Sequence, residues 1–516
     1  MNTIPILSIL TVIPLAGGGA ALLASGQSKT SRSIAFGASL LSLAVAAAAW
    51  AMFDSGRGGA QYVERLAWAP SLGIEYHLGV DGLGLLMVLL SALLAPFAML
   101  ASWEIGPNRN LYFALILFLE AGLFGTFTAL NFFHWFIYWE MGLIPAFFLI
   151  KLWGGPRRTR AANQFLIYTL AGSVAMLLAF LALYAATGLF DFEELARLAR
   201  NGGLDSALFA KLGGSFFKSR ETLATVVFFG VFLGFAVKAP LMPFHTWLPS
   251  AYTEAPAGTS MLLTGAMSKM GVYGLLRILL PLFPGQMRAM QTPLLCLAVA
   301  TIVFSAAAAL AQRDLKRMVA YSSINHVGYC LLGIFAVVRI TGDAGTGSAD
   351  RAAALNGVML QMFNHGLTAA ALFYFVGLIE MRGGGLRGLD DFGGLRKVAP
   401  VFCGLMGITL FASLGLPGLN GFVGEFLIFK GVLPLAGWAA AASTLGLLIT
   451  AIFLLTILQR VFSGPLPSRW SGWKDLTSGE RLTLAPVMAL MLLLGTCPQI
   501  LMRVANPAAL ALSKLF

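Results

Sequence analysis

The chain has 516 residues, 58% of them hydrophobic and only 11% charged, against roughly 45–50% and 25% in soluble domains. Apolar runs of about 20 residues recur along its length, which fits a polytopic membrane protein and leaves no soluble domain of useful size. The net charge of +12 does not imply nucleic acid, because the cations lie in the loops between apolar runs. Cys296, Cys330, Cys403 and Cys497 are scattered through apolar runs without paired spacing, so no iron–sulfur, zinc or disulfide framework is encoded. The Gly-rich stretch from Met381 to Arg396 lies between two apolar runs and reads as a loop, not as a nucleotide-binding turn.

Runs between polar or Gly/Pro punctuation predict an all-α fold of about 14 spans, with approximate bounds 4–24, 33–53, 80–101, 111–130, 132–151, 163–187, 222–247, 257–283, 292–312, 316–338, 354–379, 400–430, 436–462 and 482–503. The N-terminus lacks a basic leader and a clear cleavage site, and it reads as the first span. Lys29 and Arg32 follow the first span, and Arg157, Arg158 and Arg160 the fifth. Arg313, Lys316 and Arg317 follow the ninth, Arg382, Arg387, Arg396 and Lys397 the eleventh, and Arg460, Arg469 and Lys474 the thirteenth. These connections share one side, which the positive-inside rule places in the cytoplasm, with both termini on the periplasmic or lumenal side. The opposite loops carry mixed charge, and "FDFEELARLAR" within one of them predicts a short interfacial helix.

Pro240 and Pro243 interrupt the seventh span, and "LGLPGLNGF" interrupts the twelfth, five spans later. Each frees backbone groups at membrane depth, which is tolerated only beside protein or water. Matching breaks in two halves point to an internal repeat, spans 4–8 and 9–13, and an odd number of spans per repeat makes the copies inverted. The expected divisions are 1–110 for the first three spans, 111–283 and 292–462 for the two repeats, and 463–516 for the last loop and span.

Four charges stand deep in apolar runs: Glu140, Lys238, Lys269 and Glu425. Each costs at least ~2.5–3.5 kcal/mol near the bilayer centre and is a functional candidate. Lys151 and Lys430 lie near span ends and can snorkel instead. Burial lowers the proton affinity of a lysine and a nearby carboxylate restores it, so a Glu140–Lys238 pair followed by Lys269 forms a proton-loading unit. His326 and His365 lie between the lysines and Glu425 in chain order and can exchange protons near neutral pH. His134 and His245 have weaker claims. No Ser/His/Asp or metal-ligand spacing is present.

Together, "YWEMGLIPAFFLIKLWGG", "KAPLMPFHTWLPSAYTEAP", "SKMGVYGLLRI", "QRDLKRMVAYSSINHVGY" and "GLPGLNGFVGEFLIFKG" resemble the antiporter-like membrane subunits of complex I, the NADH:quinone oxidoreductase, over nearly the whole chain. The resemblance is to the M type, called the D type in cyanobacteria and plastids, because Glu425 stands where the L and N types and the subunits of Mrp-like cation/proton antiporters generally carry lysine. It implies fourteen helices with two inverted five-helix repeats and breaks in helices 7 and 12. It further implies Glu140 and Lys238 as an ion-pair switch, Lys269 as the central lysine, His326 and His365 as relay groups and Glu425 as the release site. The chain itself would hold no cofactor. Quinone, flavin, iron–sulfur clusters and NAD(P)H or ferredoxin would belong to partner membrane and peripheral subunits, L-type and N-type among them, in a bacterial inner or thylakoid membrane. A Mrp-like antiporter subunit is the alternative. One departure bears on proton uptake: family members usually read "LPDAHTEAPT" where this chain has Ser250 and Tyr252.

Overall fold

The computed structural model describes residues 4–24, 28–214, 217, 219–339 and 347–516. Twelve helices among them are long and apolar enough to cross a membrane: Ile6–Leu23, Lys29–Met52, Gly82–Ala101, Arg109–Thr128, Phe132–Trp153, Arg158–Thr187, Arg220–Lys238, Gln291–Leu310, Leu315–Ala336, Ser348–Arg382, Gly437–Phe462 and Ser478–Thr496. Backbone donors and acceptors have no water to bond in hydrocarbon, so apolar sequence of this length closes its hydrogen bonds as helix.

Two expected spans take a different form. The eighth is helical from Ala257 but widens into π segments at Leu263–Met267 and Leu275–Leu279. The twelfth consists of two short helices, Pro400–Leu414 and Asn420–Leu435. Its break is a Schellman motif: Gly415 turns left-handed at φ 79°, its amide bonds Ala412 O at 3.3 Å, and the Leu416 amide bonds Phe411 O at 3.0 Å. The seventh span ends at Lys238 and resumes as Trp247–Glu254, as the two prolines require. Both predicted breaks are therefore present.

Burial separates an inner group of helices from a rim. The most apolar windows of the tenth and eleventh spans are 94% buried, whereas those of the second and fourteenth are only 28% buried. The eleventh span, Ser348–Arg382, packs on the broken twelfth, the tenth and the third. Rim helices turn leucine, isoleucine and phenylalanine outward, as at Leu41, Ile167, Leu178, Phe304 and Leu448, which is the lipid-facing pattern.

Three elements outside the spans tie the ends of the bundle. The loop after the second span forms an antiparallel hairpin, β1 (Gln61–Ala69) with β2 (Ile74–Val80), where the sequence showed only mixed charge. Glu64 of β1 accepts the Leu7 amide at 2.8 Å, a carboxylate on a helix N-terminus. The short helix expected at "FDFEELARLAR" is Phe192–Arg200, capped by Asp191. The fourteenth span ends at Thr496, short of the expected 503, and a further helix, Gln499–Ser513, folds back on the third and eleventh spans. Asn356 and Asn506 join it to the eleventh span at 2.8 Å.

Asp475, in the loop before the fourteenth span, caps the twelfth from outside. Its oxygens accept the amides of Val401 at 3.0 Å and Phe402 at 2.9 Å. Burial alone would raise its proton affinity, but the amides of Leu476, Val401 and Phe402 outweigh that and hold the carboxyl below its usual range. A carboxyl so depressed stabilises the fold above its unfolded pKa, and the contribution is lost as the pH falls through the folded value. Asp475→Asn is expected to cost about 1 kcal/mol at neutral pH. Thermal midpoints of the detergent-solubilised protein should show a gap from wild type that closes below about pH 4.

Candidate functional site

The site is assembled around the π segment of the eighth span. A π turn leaves one carbonyl outside the regular ladder. Lys269, 1% exposed, folds back on this segment and donates to Thr264 O at 2.5 Å. Its ammonium also lies 2.8 Å from His365 Nδ1. Two residues on is Gly271, where a Cβ would come within 2.5 Å of the Ala239 amide nitrogen. Only glycine lets the eighth span pass this close to the broken end of the seventh.

From His365 the line continues to His326, the ring centroids 5.0 Å apart. His326 Nδ1 lies 2.8 Å from Glu425 Oε1, and its Nε2 lies 3.1 Å from Ser413 Oγ. Gln361 donates a second hydrogen bond to Glu425 Oε1 at 3.0 Å. These groups line a cavity of about 10 Å³, near the smallest that holds one water. The break in the twelfth span is held to the eleventh by a reciprocal amide clamp: Asn364 Nδ2 donates to Asn420 O at 2.7 Å, and Asn420 Nδ2 donates to Asn364 O at 3.1 Å.

Lys238, Lys269, His326, His365 and Glu425 are buried inside the bundle and Glu140 is half-buried, but two arrangements differ from the sequence reading. The order is Lys269, His365, His326, Glu425, with the histidines reversed from chain order, because His365 of the eleventh span meets Lys269 and His326 of the tenth meets Glu425. Glu140 and Lys238 do not close an ion pair. Lys238 Nζ stands instead 4.8 Å from the ring centroid of Trp139, an aromatic face that substitutes for a counter-ion. Trp139 is held by its Nε1 donating to Ser173 Oγ at 3.0 Å. Glu140 Oε1 is enclosed and has no hydrogen-bond partner. The axis is therefore hydrogen-bonded from Lys269 to His365 and from His326 to Glu425, with the two imidazole rings packed against each other between them, and open between Glu140 and Lys238.

The family described as "NADH:quinone oxidoreductase/Mrp antiporter, TM" matches residues 129–450, which contain every one of these groups. The chain belongs to that family. Subunit M of the NADH-quinone oxidoreductase of Rhodobacter capsulatus is 35% identical over 509 residues, covering 98% of this chain and 95% of its own. Among solved structures, a chain of respiratory complex I from Thermus thermophilus superposes with a TM-score of 0.84 at 29% identity, covering 99% of both chains. A chain of the Mrp complex from Dietzia sp. reaches the same TM-score at 21% identity and shares the fold. The chain is thus an antiporter-like homologue of subunit M and a multi-pass membrane protein.

This antiporter-like chain also holds charged residues that the sequence reading passed over. Glu120, in "ILFLE" of the fourth span, is fully buried, and neither carboxyl oxygen has a partner. The test applied to Glu140, a lone carboxylate in an apolar run, would have found it. Lys316, read as a loop cation, is 3% exposed and pairs with Glu380 at 2.6 Å. Arg387 ties Asp314 and Glu380 together, at 2.6 and 3.0 Å. Glu254, also buried, accepts the Arg157 amide at 2.9 Å and is occupied in holding that loop.

The two kinds of buried polar group should respond oppositely to replacement. Asn420→Ala breaks a satisfied clamp and should cost about 1–3 kcal/mol. Glu120→Leu removes two unsatisfied oxygens and should leave stability equal or higher. Thermal unfolding of the two purified variants beside wild type checks both.

Proposed function

We propose that the chain translocates protons as the M-type membrane subunit of a complex I-type NAD(P)H or ferredoxin:quinone oxidoreductase, with no redox centre of its own. The observation that carries the reading is the joined line from Lys269 through His365 and His326 to Glu425. Groups that trade protons are aligned there inside a fold where each isolated charge is costly. The quinone, flavin, iron–sulfur and nucleotide or ferredoxin sites belong, in this reading, to partner subunits, with L-type and N-type relatives alongside.

The open pair supplies the drive. When Glu140 approaches Lys238, the ammonium is stabilised; when Glu140 withdraws, the ammonium loses that support and its charge is expelled toward Lys269. Lys269 passes a proton to His365, and the two histidines and Glu425 deliver it to the far side. Moving one charge against 100 mV takes about 2.3 kcal/mol, so the cycle must be coupled to chemistry elsewhere in the assembly. The arginine-rich loops lie on the cytoplasmic side and the termini on the periplasmic or lumenal side of a bacterial inner or thylakoid membrane. The segments 111–283 and 292–462 act as inverted repeats. Support for that comes from a broken helix in each, at Lys238–Trp247 and Leu414–Asn420.

A second reading, a cation/proton antiporter subunit, draws on the fold shared with the Mrp complex. The same experiment separates the two. Lys269→Met and Glu140→Gln, in the purified assembly reconstituted into vesicles, should each lower proton pumping and coupled quinone reduction at least about tenfold, the scale of one lost proton-transfer group. Wild-type pumping by Lys269→Met would remove the axis from the mechanism. Purification without any redox partner, together with cation-driven proton movement, would favour the antiporter.

A further inference from the structure

The proposed axis begins at buried lysines and requires a path for protons from the arginine-rich face. The broken seventh span has lost the acidic residue and the histidine usual in the family, at Ser250 and Tyr252. The cavity beside Ser250, about 260 Å³, is lined by Arg157, Arg160 and Arg317, and three guanidinium groups raise the local potential against a proton. Its one carboxylate, Glu254, is bound to the Arg157 amide and lies 3.7 and 3.8 Å from Arg157 and Arg387.

A different opening lies on the same face. A cleft of about 330 Å³ between the ends of the third, eighth, eleventh and fourteenth spans is lined by Ser102, Glu104, Glu380 and Glu480 among others. Two buried polar contacts leave its floor. Glu380 pairs with Lys316 at 2.6 Å, and the Lys316 ammonium donates to Ala255 O at 3.1 Å. Ser102 Oγ lies 2.8 Å from Tyr112 OH, which lies 3.0 Å from Thr259 Oγ1. The first ends at Ala255, just before the eighth span, and the second at Thr259, in its first turn.

From that turn, Ser260, Thr264 and Ser268 recur every fourth residue in "TSMLLTGAMSK", so their hydroxyls share one helix face. All are buried. Ser260 Oγ donates to Tyr252 O at 2.9 Å. The Tyr252 hydroxyl reaches over the π segment to donate to Leu263 O at 2.8 Å and faces Ser268. Ser268 Oγ and Lys269 Nζ share the Thr264 carbonyl, at 2.9 and 2.5 Å, and lie 3.4 Å apart. Thr264 Oγ1 adds a contact to Ser323 Oγ at 2.9 Å.

Resting on the proton-translocation reading above, we propose that protons reach Lys269 from the cleft beside Glu380, through Ser102, Tyr112 and Thr259 and along the hydroxyl face of the eighth span to Tyr252 and Ser268. The step from Ser260 to Thr264 is one helical turn, about 6 Å, and transient water bridges it. Each hydroxyl accepts one proton and releases another, so the chain is unchanged and the Lys269 amine gains the proton. Tyr252 thereby takes over, from the same place in the sequence, the part of a proton-exchanging ring.

The test uses the whole assembly in vesicles, comparing wild type, Tyr252→Phe, Tyr112→Phe, Tyr252→His and Lys269→Met for protons moved per electron and for quinone reduction in detergent, which reports assembly. Tyr252→Phe and Tyr112→Phe should each lower coupled pumping at least about tenfold, and Tyr252→His should restore at least half of it. If both phenylalanine variants pump as wild type while Lys269→Met does not, the route is overturned and the translocation reading stands. If Lys269→Met also pumps normally, the reading itself falls. Loss in Tyr252→Phe without rescue by histidine makes Tyr252 structural and removes it from the route. Should Tyr252→Phe not assemble, Ser268→Ala, which removes only one hydroxyl, decides in its place: a wild-type ratio overturns the route and a fall of the same size supports it.

Discussion

The bond from the Lys269 ammonium to the Thr264 carbonyl is the interaction on which the site depends. An ammonium in hydrocarbon needs an acceptor, and the carbonyls of a regular helix each already hold one backbone bond. The π segment at Leu263–Met267 supplies the acceptor and so holds the lysine inside the bundle without a carboxylate beside it. That leaves a side of the ammonium for His365. A carboxylate partner would have held the charge more firmly and made it harder to pass on. The same economy recurs at Lys238, where the Trp139 ring takes the place of a fixed anion.

Much of this was legible in the sequence, for a physical reason. Hydrocarbon penalises charges and broken backbone so heavily that their mere presence marks them, which is how Glu140, Lys238, Lys269, Glu425 and the breaks near Pro240 and Pro417 stand out. What was not legible is what depends on how helices meet. The π segments have no residue signature of the kind proline gives. The exchange of His326 and His365 follows from which helix turns its imidazole toward Lys269, and neither hydropathy nor spacing encodes that. That Lys238 meets the Trp139 ring and does not close on Glu140 depends on how that ring is turned, which a sequence cannot show. The hairpin at Gln61–Val80 and the helix Gln499–Ser513 went unread because a search for long apolar runs passes over short amphipathic elements.

Two classes of polar residue therefore occupy the interior. Asn364 and Asn420 each donate a side-chain amide to the other's backbone, and Gln361 donates to Glu425, so these three fix geometry. Lys269, His365, His326 and Glu425 have partners that can themselves gain or lose a proton, so their bonds are exchangeable. The clamps surround the exchangeable set on the eleventh and twelfth spans. A break such as 415–419 would otherwise be the most pliable part of the bundle, and the amide clamp leaves movement mainly to the protons and the side chains that bear them.

The eleventh span, Ser348–Arg382, is 35 residues long, about 52 Å at 1.5 Å per residue, and so outreaches a hydrocarbon core of about 30 Å. It is anchored at both ends: Arg351 to the carbonyls of Val337 and Arg339, at 3.1 and 2.7 Å, and Arg382 to Glu480 at 2.6 Å. His365 lies midway. Between those anchors it is packed along its length on the third, tenth and twelfth spans, so the rod is held as a unit, and any displacement of it along its own axis would move the His365 ring against Lys269 and His326 together.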